Sequence, residues 1–248
     1  MRMGLRTCGG SDRGGRRGIG GVLLLVGLFG GRAAPAGGVD RGVTASLLHE
    51  AGWSGAQALD GGLVVDQKPV PGVGLVAFRG RLPLGPDTDY DRLWSLLSDV
   101  GNHERVGGRL AESEVFRREG ARIEFYQVLK PPPLLGSAQR YWFSHTELEQ
   151  AVGGDPSHRR RCWSGLPAGE AAALRAQVQA RYPSASEVAL THGCWELRGA
   201  AGSPGELRYV TVSDPGGQVP ASLAALLTAR TLPENMRAFV AASRPAGG

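Results

Sequence analysis

The segment Tyr209-Val-Thr-Val-Ser-Asp-Pro-Gly-Gly-Gln-Val-Pro220 decides the fold of this chain. Its first five residues have the β-branched and aromatic composition of a strand, and Asp214-Pro-Gly-Gly217 ends that strand, because proline fixes φ and glycine permits a turn. Pro220 suits the first turn of a helix. The apolar residues beyond it recur at three- and four-residue steps: Leu223, Leu226, Leu227, Met236, Phe239 and Val240. The segment therefore predicts a strand, a turn and a long amphipathic helix.

A proline interrupts the pattern of this helix. Pro233 removes one backbone hydrogen bond, and Thr231-x-x-Glu234 has the spacing of a capping box. The helix is thus predicted to kink or to restart near Thr231, and we expect the restart.

Upstream of this segment, strand-like stretches alternate with Gly, Pro and polar turns, and three further stretches have helical composition. The predicted strands are 63–66, 73–82, 113–118, 121–130, 140–149, 159–164, 193–197 and 206–213, and the predicted helices are 43–59, 87 or 88 to 100, and 170–182. Consecutive strands joined by short turns predict a meander of antiparallel strands and an α+β fold. In the strand 121–130, Ile123, Phe125 and Leu129 share one face, and Glu124, Tyr126 and Val128 share the other.

Residues 1–36 differ in composition from the rest of the chain. Five arginines precede an apolar run at 19–29, and Ala34-Pro-Ala36 has the small-x-small pattern of a signal-peptidase site. This pattern predicts an export signal and a periplasmic or secreted protein. The run is shorter than the roughly 20 apolar residues of a membrane span, so inner-membrane anchoring by an uncleaved leader is the alternative.

The charge balance argues against nucleic-acid binding. The first 36 residues hold six of the 28 basic residues and one of the 23 acidic residues, so residues 37–248 carry 22 of each. A neutral protein lacks the general electrostatic attraction to phosphate backbones. One compact basic run, Ser157-His-Arg-Arg-Arg161, is interpreted as a solvated loop or strand end, with contact to anionic lipid headgroups as the alternative.

Two cysteines follow the leader, and each precedes a tryptophan. In an exported chain, Cys162 and Cys194 permit a disulfide, although two buried free thiols would fit the sequence as well. Two cysteines without properly spaced histidines make a zinc site improbable, so no metal or cofactor is expected.

Several motifs resemble the START lipid-binding family, within the wider helix-grip superfamily of Bet v1-like proteins and polyketide cyclases. In chain order they are Gly52-Trp53, Val64-Val65 through Pro69-Val-Pro-Gly72, Leu93-Trp-Ser-Leu-Leu-Ser-Asp99, Tyr126-Gln-Val-Leu-Lys-Pro-Pro-Pro133, Gln139-Arg140-Tyr141 and Asp214-Pro-Gly-Gly-Gln-Val-Pro220. The resemblance implies a curved antiparallel sheet wrapped around a long C-terminal helix, with an apolar tunnel between them. Together with the leader pattern, it divides the chain into a signal at 1–36, a linker at 37–42, a START-like domain at 43–243 and a disordered tail at 244–248.

The chain departs from the family pattern at two places. The family has an Arg-Asp pair where this chain has Arg140-Tyr141, and the tryptophan expected after the second helix is missing from Gly101-Asn-His-Glu-Arg-Val106. These departures concern the ligand more than the fold.

Side chains on the predicted strands and on the C-terminal helix are the candidates for contact with a ligand in this tunnel. On the strands they are Tyr126, Arg140, Trp142, His145, Trp195 and Arg208, and on the C-terminal helix they are Leu223, Leu226, Leu227 and Met236. The alternative for Arg208 and for Glu124 is a cross-strand charge facing solvent, and for the tryptophans it is an ordinary core position. Gly216 and Gly217 would permit the helix to move as a lid.

The functional hypothesis is binding or transfer of a hydrophobic small molecule such as a lipid, sterol or fatty acid, by a non-enzymatic monomer that touches a membrane transiently. The sequence contains no Gly-x-Ser-x-Gly elbow, phosphate loop, His-Glu-x-x-His or dinucleotide fingerprint. One alternative is an enzyme like the polyketide cyclases and aromatases. Another is an envelope interaction protein whose cavity is filled.

Overall fold

The strand and helix predicted from residues 209–240 frame the fold. The strand is β10 (Gly205–Asp214) and the helix is α4 (Ala221–Ser243). The computed structural model describes residues 36–106, 108–130, 139–216, 219 and 221–244, and for 36–41 and 221 only the backbone. The leader through residue 35, the three prolines 131–133 of the quoted motif, Gly217 and the tail at 245–248 lie outside the described residues.

Ten strands form one curved antiparallel sheet. They are β1 (Ser54–Ala58), β2 (Val64–Val70), β3 (Leu75–Leu84), β4 (Leu110–Glu119), β5 (Arg122–Leu129), β6 (Arg140–Glu149), β7 (His158–Gly165), β8 (Ser186–Glu187), β9 (Leu190–Arg198) and β10. Their order is β1-β2-β3-β10-β9-β7-β6-β5-β4, and only β8 pairs in parallel, with β6. Because β10 lies between β3 and β9, the last strand of the chain joins its two halves.

Helices cover both faces of this sheet. They are α1 (Ala36–Leu48), α2 (Tyr90–Ser98), α3 (Ala172–Arg181) and α4. We call the face that packs against α2 and α4 the inner face, on which Phe78, Phe125, Trp163, Trp195 and Leu207 join the main core. The outer face packs against α1 through Val70, Ala77, Val210 and Val212, and against α3 through Tyr126, Val128, Tyr141 and Phe143. The strict alternation of these residues along each strand is the two-residue period of a pleated sheet.

The α+β class and the helix-grip architecture predicted from the sequence are confirmed. All eight predicted strands are present, with bounds that differ by a few residues, and β1 and β8 were missed. The helix predicted to begin at Asp87 or Thr88 begins at Tyr90, where the Asp89 carboxylate accepts the backbone N–H of Arg92.

The first helix was predicted wrongly. It spans Ala36–Leu48 instead of 43–59, so the backbone of the predicted linker at 37–42 is helical and β1 occupies part of the predicted helix. Gly52 and Gly55 explain the difference, because their φ angles of 89° and 67° lie in a left-handed region that no right-handed helix can pass through.

The predicted restart of α4 at Thr231 is also wrong. The helix continues through Pro233 to Ser243. The capping box does not form, since the Thr231 hydroxyl donates to the carbonyl of Thr228 and Glu234 pairs with Arg109. Packing of Leu232 and Phe239 into the inner core offsets the hydrogen bond lost at proline.

Close contact between α4 and β3 depends on Gly80. A Cβ atom at this position would lie 2.3 Å from Met236 Sδ and 2.5 Å from Leu232 Cδ2. The glycine therefore lets the second half of α4 lie directly on the sheet, which anchors this half beside the site described below.

A disulfide joins Cys162 on β7 to Cys194 on β9, which are paired in register on the outer face. The open alternative of two free thiols is thereby resolved. In the part of the chain that the structure describes, no helix is long and apolar enough to cross a membrane.

Candidate ligand-binding site

A cavity of about 280 Å³ lies between the inner face and α4. Strands β4 to β7, β9 and β10 supply its walls, and α4 closes it through Ala224, Leu227, Thr228, Thr231, Leu232, Asn235 and Phe239. Its volume is near the lower end of those of sites that hold small molecules. The sheet is thus not filled completely by its own side chains.

Aromatic rings form the apolar part of the wall. Trp195 and Tyr209 are stacked with centroids 4.0 Å apart, and Phe239 of α4 lies 5.3 Å from Trp195. Trp163 lies 5.8 Å from Tyr209, and its indole N–H donates to Thr191 Oγ1 at 3.2 Å. These four rings form one continuous surface on neighbouring strands and the helix, suited to an apolar ligand.

The charged group deepest in the wall is Arg161 of β7. Its side chain is only 3 % exposed, and the guanidinium lies over the Trp163 ring at 5.5 Å. Nη1 donates to the carbonyl of Leu97, whereas Nε is buried without a hydrogen-bond partner among the described residues. Burial lowers the pKa of Arg161 to about 10, so the group remains a cation at neutral pH.

A chain of polar groups leads from Arg161 into the wall. His103 Nε2 lies 3.2 Å from Arg161 Nη1, His103 Nδ1 lies 3.4 Å from Gln127 Nε2, and Gln127 donates to Ser113 Oγ at 2.9 Å. Burial, and secondly the charge of Arg161, lower the pKa of His103 to about 3. The imidazole is therefore neutral at physiological pH and does not add a second charge.

Cations line this cavity without acidic counterparts. Arg109, Lys130, Arg140 and Arg161 all contribute to its wall, and no aspartate or glutamate does so among the described residues. Among the described residues, Arg109 alone of these four pairs with a carboxylate, that of Glu234 at the surface. Lys130 donates to the carbonyl of Gly108 and Arg140 to the carbonyl of Pro215. The electrostatic potential inside is consequently positive.

The structure brings four of the residues predicted from the sequence to this cavity. Arg140, Trp142, Trp195 and Leu227 are in its wall. Met236 is fully buried nearby but packs on Gly80 and does not line the cavity.

Three predicted strand residues lie on the wrong face. Tyr126, His145 and Arg208 alternate with inner-face residues, so they belong to the outer face. The Tyr126 hydroxyl oxygen lies 2.6 Å from a carboxylate oxygen of Glu112 and 2.6 Å from one of Glu114, and Arg208 pairs with Glu50 and Glu196. The resemblance predicted their strands correctly, but it carries no information about the face.

Two predicted helix residues also lie outside the cavity wall. Leu226 is 64 % exposed, and Leu223 is half-buried. The first half of α4 contacts the cavity through Ala224, Leu227 and Thr228 instead. The side of the helix that faces the sheet therefore differs from the apolar side predicted from the sequence.

Sequence reasoning missed several residues of the site, above all His103, Gln127, Arg161, Trp163 and Tyr209. Arg161 was assigned to a solvated basic run, yet it is two residues from Trp163 on one strand. The period of two placed Arg161 on the same face as this tryptophan, and that signal was available in the sequence. In contrast, no sequence pattern around His103 indicates that its side chain contacts Arg161 on β7.

Among the described residues, no group of His, Cys, Asp and Glu is placed to hold a metal ion.

Solved structures similar to this chain share its architecture. A STAR-related lipid transfer protein from Xanthomonas axonopodis is 21 % identical with a TM-score of 0.61, covering 78 % of this chain and 99 % of that one. Human StAR-related lipid transfer protein 5 is 10 % identical with a TM-score of 0.66, covering 81 % and 90 %. Human STARD10 is 14 % identical with a TM-score of 0.61, covering 85 % and 80 %. No family model and no curated protein matches the chain. The chain thus has the START, or helix-grip, fold.

Proposed function

We propose that this protein binds a hydrophobic small molecule, such as a lipid, sterol or fatty acid, in the cavity and carries it without catalysis. The observation that supports this most is an aromatic-walled cavity between the sheet and α4. Each methylene group transferred from water into such a wall contributes about 0.8 kcal/mol, so binding needs no reactive group.

The similar structures support this function by their fold and by their names. Those from Xanthomonas axonopodis and human are named as lipid transfer proteins. For this chain, lipid transfer, the monomeric state and transient contact with a membrane are proposals, as is movement of α4 about the glycines that precede it.

The proposed location is outside the cytoplasm, in the periplasm or the medium. The leader pattern of residues 1–36 supports export, and the disulfide between Cys162 and Cys194 fits an oxidising compartment. N-terminal sequencing of the protein recovered from fractionated host cells tests this. A mature N-terminus near residue 37 in the periplasm or medium is expected, and an intact leader in the inner membrane would favour anchoring instead.

Extraction of the protein purified from its own host tests the function itself. Native mass spectrometry is expected to show a bound hydrophobic molecule, which solvent extraction then releases for identification. The proposal fails if nothing above background is recovered and if sterols, phospholipids and fatty acids all fail to bind. That outcome with a folded protein would favour the filled scaffold, whereas chemical conversion of a bound polyketide would favour the cyclase alternative.

A cavity-filling variant links binding to this site. Thr231→Trp places an indole in the cavity wall and is expected to reduce ligand recovery strongly, because the space is small. Arg230→Trp is the matched control, since it introduces the same side chain at the adjacent exposed position of α4. Equal recovery from the two variants would place the ligand elsewhere.

A further inference from the structure

Arg161 is a buried cation that has no counterion among the described residues. It forms no ion pair with a described residue, and no described aspartate or glutamate lines the cavity it faces. The undescribed residues closest in sequence to the cavity wall, 107, 131–138, 217, 218 and 220, include no acidic residue either. Arginine is seldom buried this deeply unless it is paired.

Neighbouring groups do not neutralise this charge. Burial and the charge of Arg161 lower the pKa of His103, so the imidazole is neutral, and a histidine side chain could not supply a negative charge in either protonation state. Burial raises the pKa of the Tyr209 hydroxyl, which keeps the phenol protonated and able to donate. Arg161 is therefore surrounded by neutral groups and aromatic rings.

A buried charge of this kind destabilises the empty protein. Transfer of an unpaired ion from water to an apolar site is strongly unfavourable, and well-packed apolar residues often stabilise such positions better. The guanidinium retains unused hydrogen-bonding capacity, since Nε has no hydrogen-bond partner among the described residues. A guanidinium binds the oxygens of a carboxylate or phosphate through charge-assisted hydrogen bonds.

We infer that the ligand is an anionic amphiphile, whose carboxylate or phosphate group pairs with Arg161 while its apolar part lies along Trp195, Tyr209 and Phe239. This inference rests on the proposed function and names the chemical class of its ligand. The counterion of Arg161 thus enters with the ligand, and an uncharged molecule of equal length leaves the charge unpaired. Arg140 and Lys130 add positive potential to the same cavity.

Tryptophan quenching by brominated probes measures the preference. The wall contains Trp142, Trp163 and Trp195, so a bromine atom in the cavity quenches their fluorescence. The probes are ω-bromododecanoate, ω-bromododecyl phosphate and ω-bromododecanol, which share one chain and differ in the head group. At least one anionic probe is expected to bind about tenfold or more tightly than the alcohol, as for hydrogen bonds to charged groups.

Variants assign this preference to Arg161. Arg161→Met should abolish the difference between anion and alcohol, and Arg161→Lys should restore part of it. Arg160→Met is the matched control, because Arg160 directly precedes Arg161 on β7, lies on the outer face and pairs with Glu149. It should keep the full difference.

The outcomes separate this inference from the proposed function. Equal binding of the alcohol and both anions to the native protein overturns the inference and leaves a neutral-lipid carrier. A preference that persists in Arg161→Met also overturns it. If none of the probes quenches the tryptophans and no lipid co-purifies, then the proposed function fails as well. The comparison within the native protein holds even if a variant does not fold.

Discussion

The two faces of the sheet differ in whether their buried arginines are paired with carboxylates. On the outer face, Arg79 contacts Asp66 through Nε at 2.9 Å and Nη2 at 2.7 Å, and Arg208 pairs with Glu196 and Glu50. On the inner face, Arg161 has no carboxylate partner among the described residues. Removing one partner of a buried ion pair is strongly destabilising, and a buried charge without a partner in the chain is a candidate for ligand binding.

The histidines show the same contrast. His158 on the outer face lies 3.1 Å from a Glu196 oxygen, which opposes the fall in its pKa caused by burial and Arg198. His103 on the inner face has a cation as its charged neighbour, and burial together with that cation lowers its pKa to about 3. The contrast between the faces leads to four predictions.

The largest effect is expected from Asp66→Asn on the outer face. It leaves the buried Arg79 with only the exposed Glu50, and breaking a buried pair should lower the free energy of unfolding by about 4 kcal/mol. Chemical denaturation measures this change. Asp91→Asn is the control, because its exposed pair with Arg159 should contribute less than about 1 kcal/mol. Equal effects of the two variants would remove the distinction between buried and exposed pairs.

The second prediction concerns the disulfide of the outer face. The bond closes a loop of 32 residues, so Cys162→Ala with Cys194→Ala should lower the free energy of unfolding by about 3.5 kcal/mol. Urea unfolding of the oxidised protein and the double variant gives the difference. Addition of a reductant should destabilise the native protein only, and an equal response of the variant would show that the reductant acts elsewhere.

The third prediction is a pH dependence that originates on the inner face. The folded-state pKa of His103 is about 3 and the unfolded value is 6.5, so only the unfolded chain takes up this proton as the pH falls below 6.5. The stabilisation is complete above pH 6.5 and is lost on acidification. His103→Gln should lose about 2 kcal/mol less than the native protein between about pH 6.5 and 4.5. Thermal unfolding across this range measures it, and the exposed His49→Gln should behave like the native protein.

The smallest effect is expected from Arg161→Met and has the opposite sign. Removing the unpaired charge should raise the free energy of unfolding of the empty protein by about 1–2 kcal/mol while ligand binding weakens. Denaturation of delipidated protein measures this. A variant that is strongly destabilised would show that Arg161 stabilises the empty protein, and would remove the contrast between the faces.

Much of the fold could be predicted from the sequence because its signals are local. The alternation in β5 separates Phe125 from Tyr126, and the turn at Asp214-Pro-Gly-Gly217 separates β10 from α4. The residues of the site could be predicted less well from the sequence. Tyr126 was assigned to it through its strand although its own alternation placed it opposite Phe125, and the basic run at 157–161 was treated as one surface although its residues point to both faces.

By itself, the sequence determined the class of the fold, the succession of strands and the amphipathic C-terminal helix, since these depend on residue periods and turn propensities within a few positions. The tertiary structure alone decided that α4 continues through Pro233, that Cys162 meets Cys194, and that His103 meets Arg161 beside a cavity whose described lining contains no acidic residue. Those contacts join residues far apart in the chain. The energies of these contacts depend on how deeply the groups are buried and on which charges lie beside them. Both are determined only when the sheet packs around the helix.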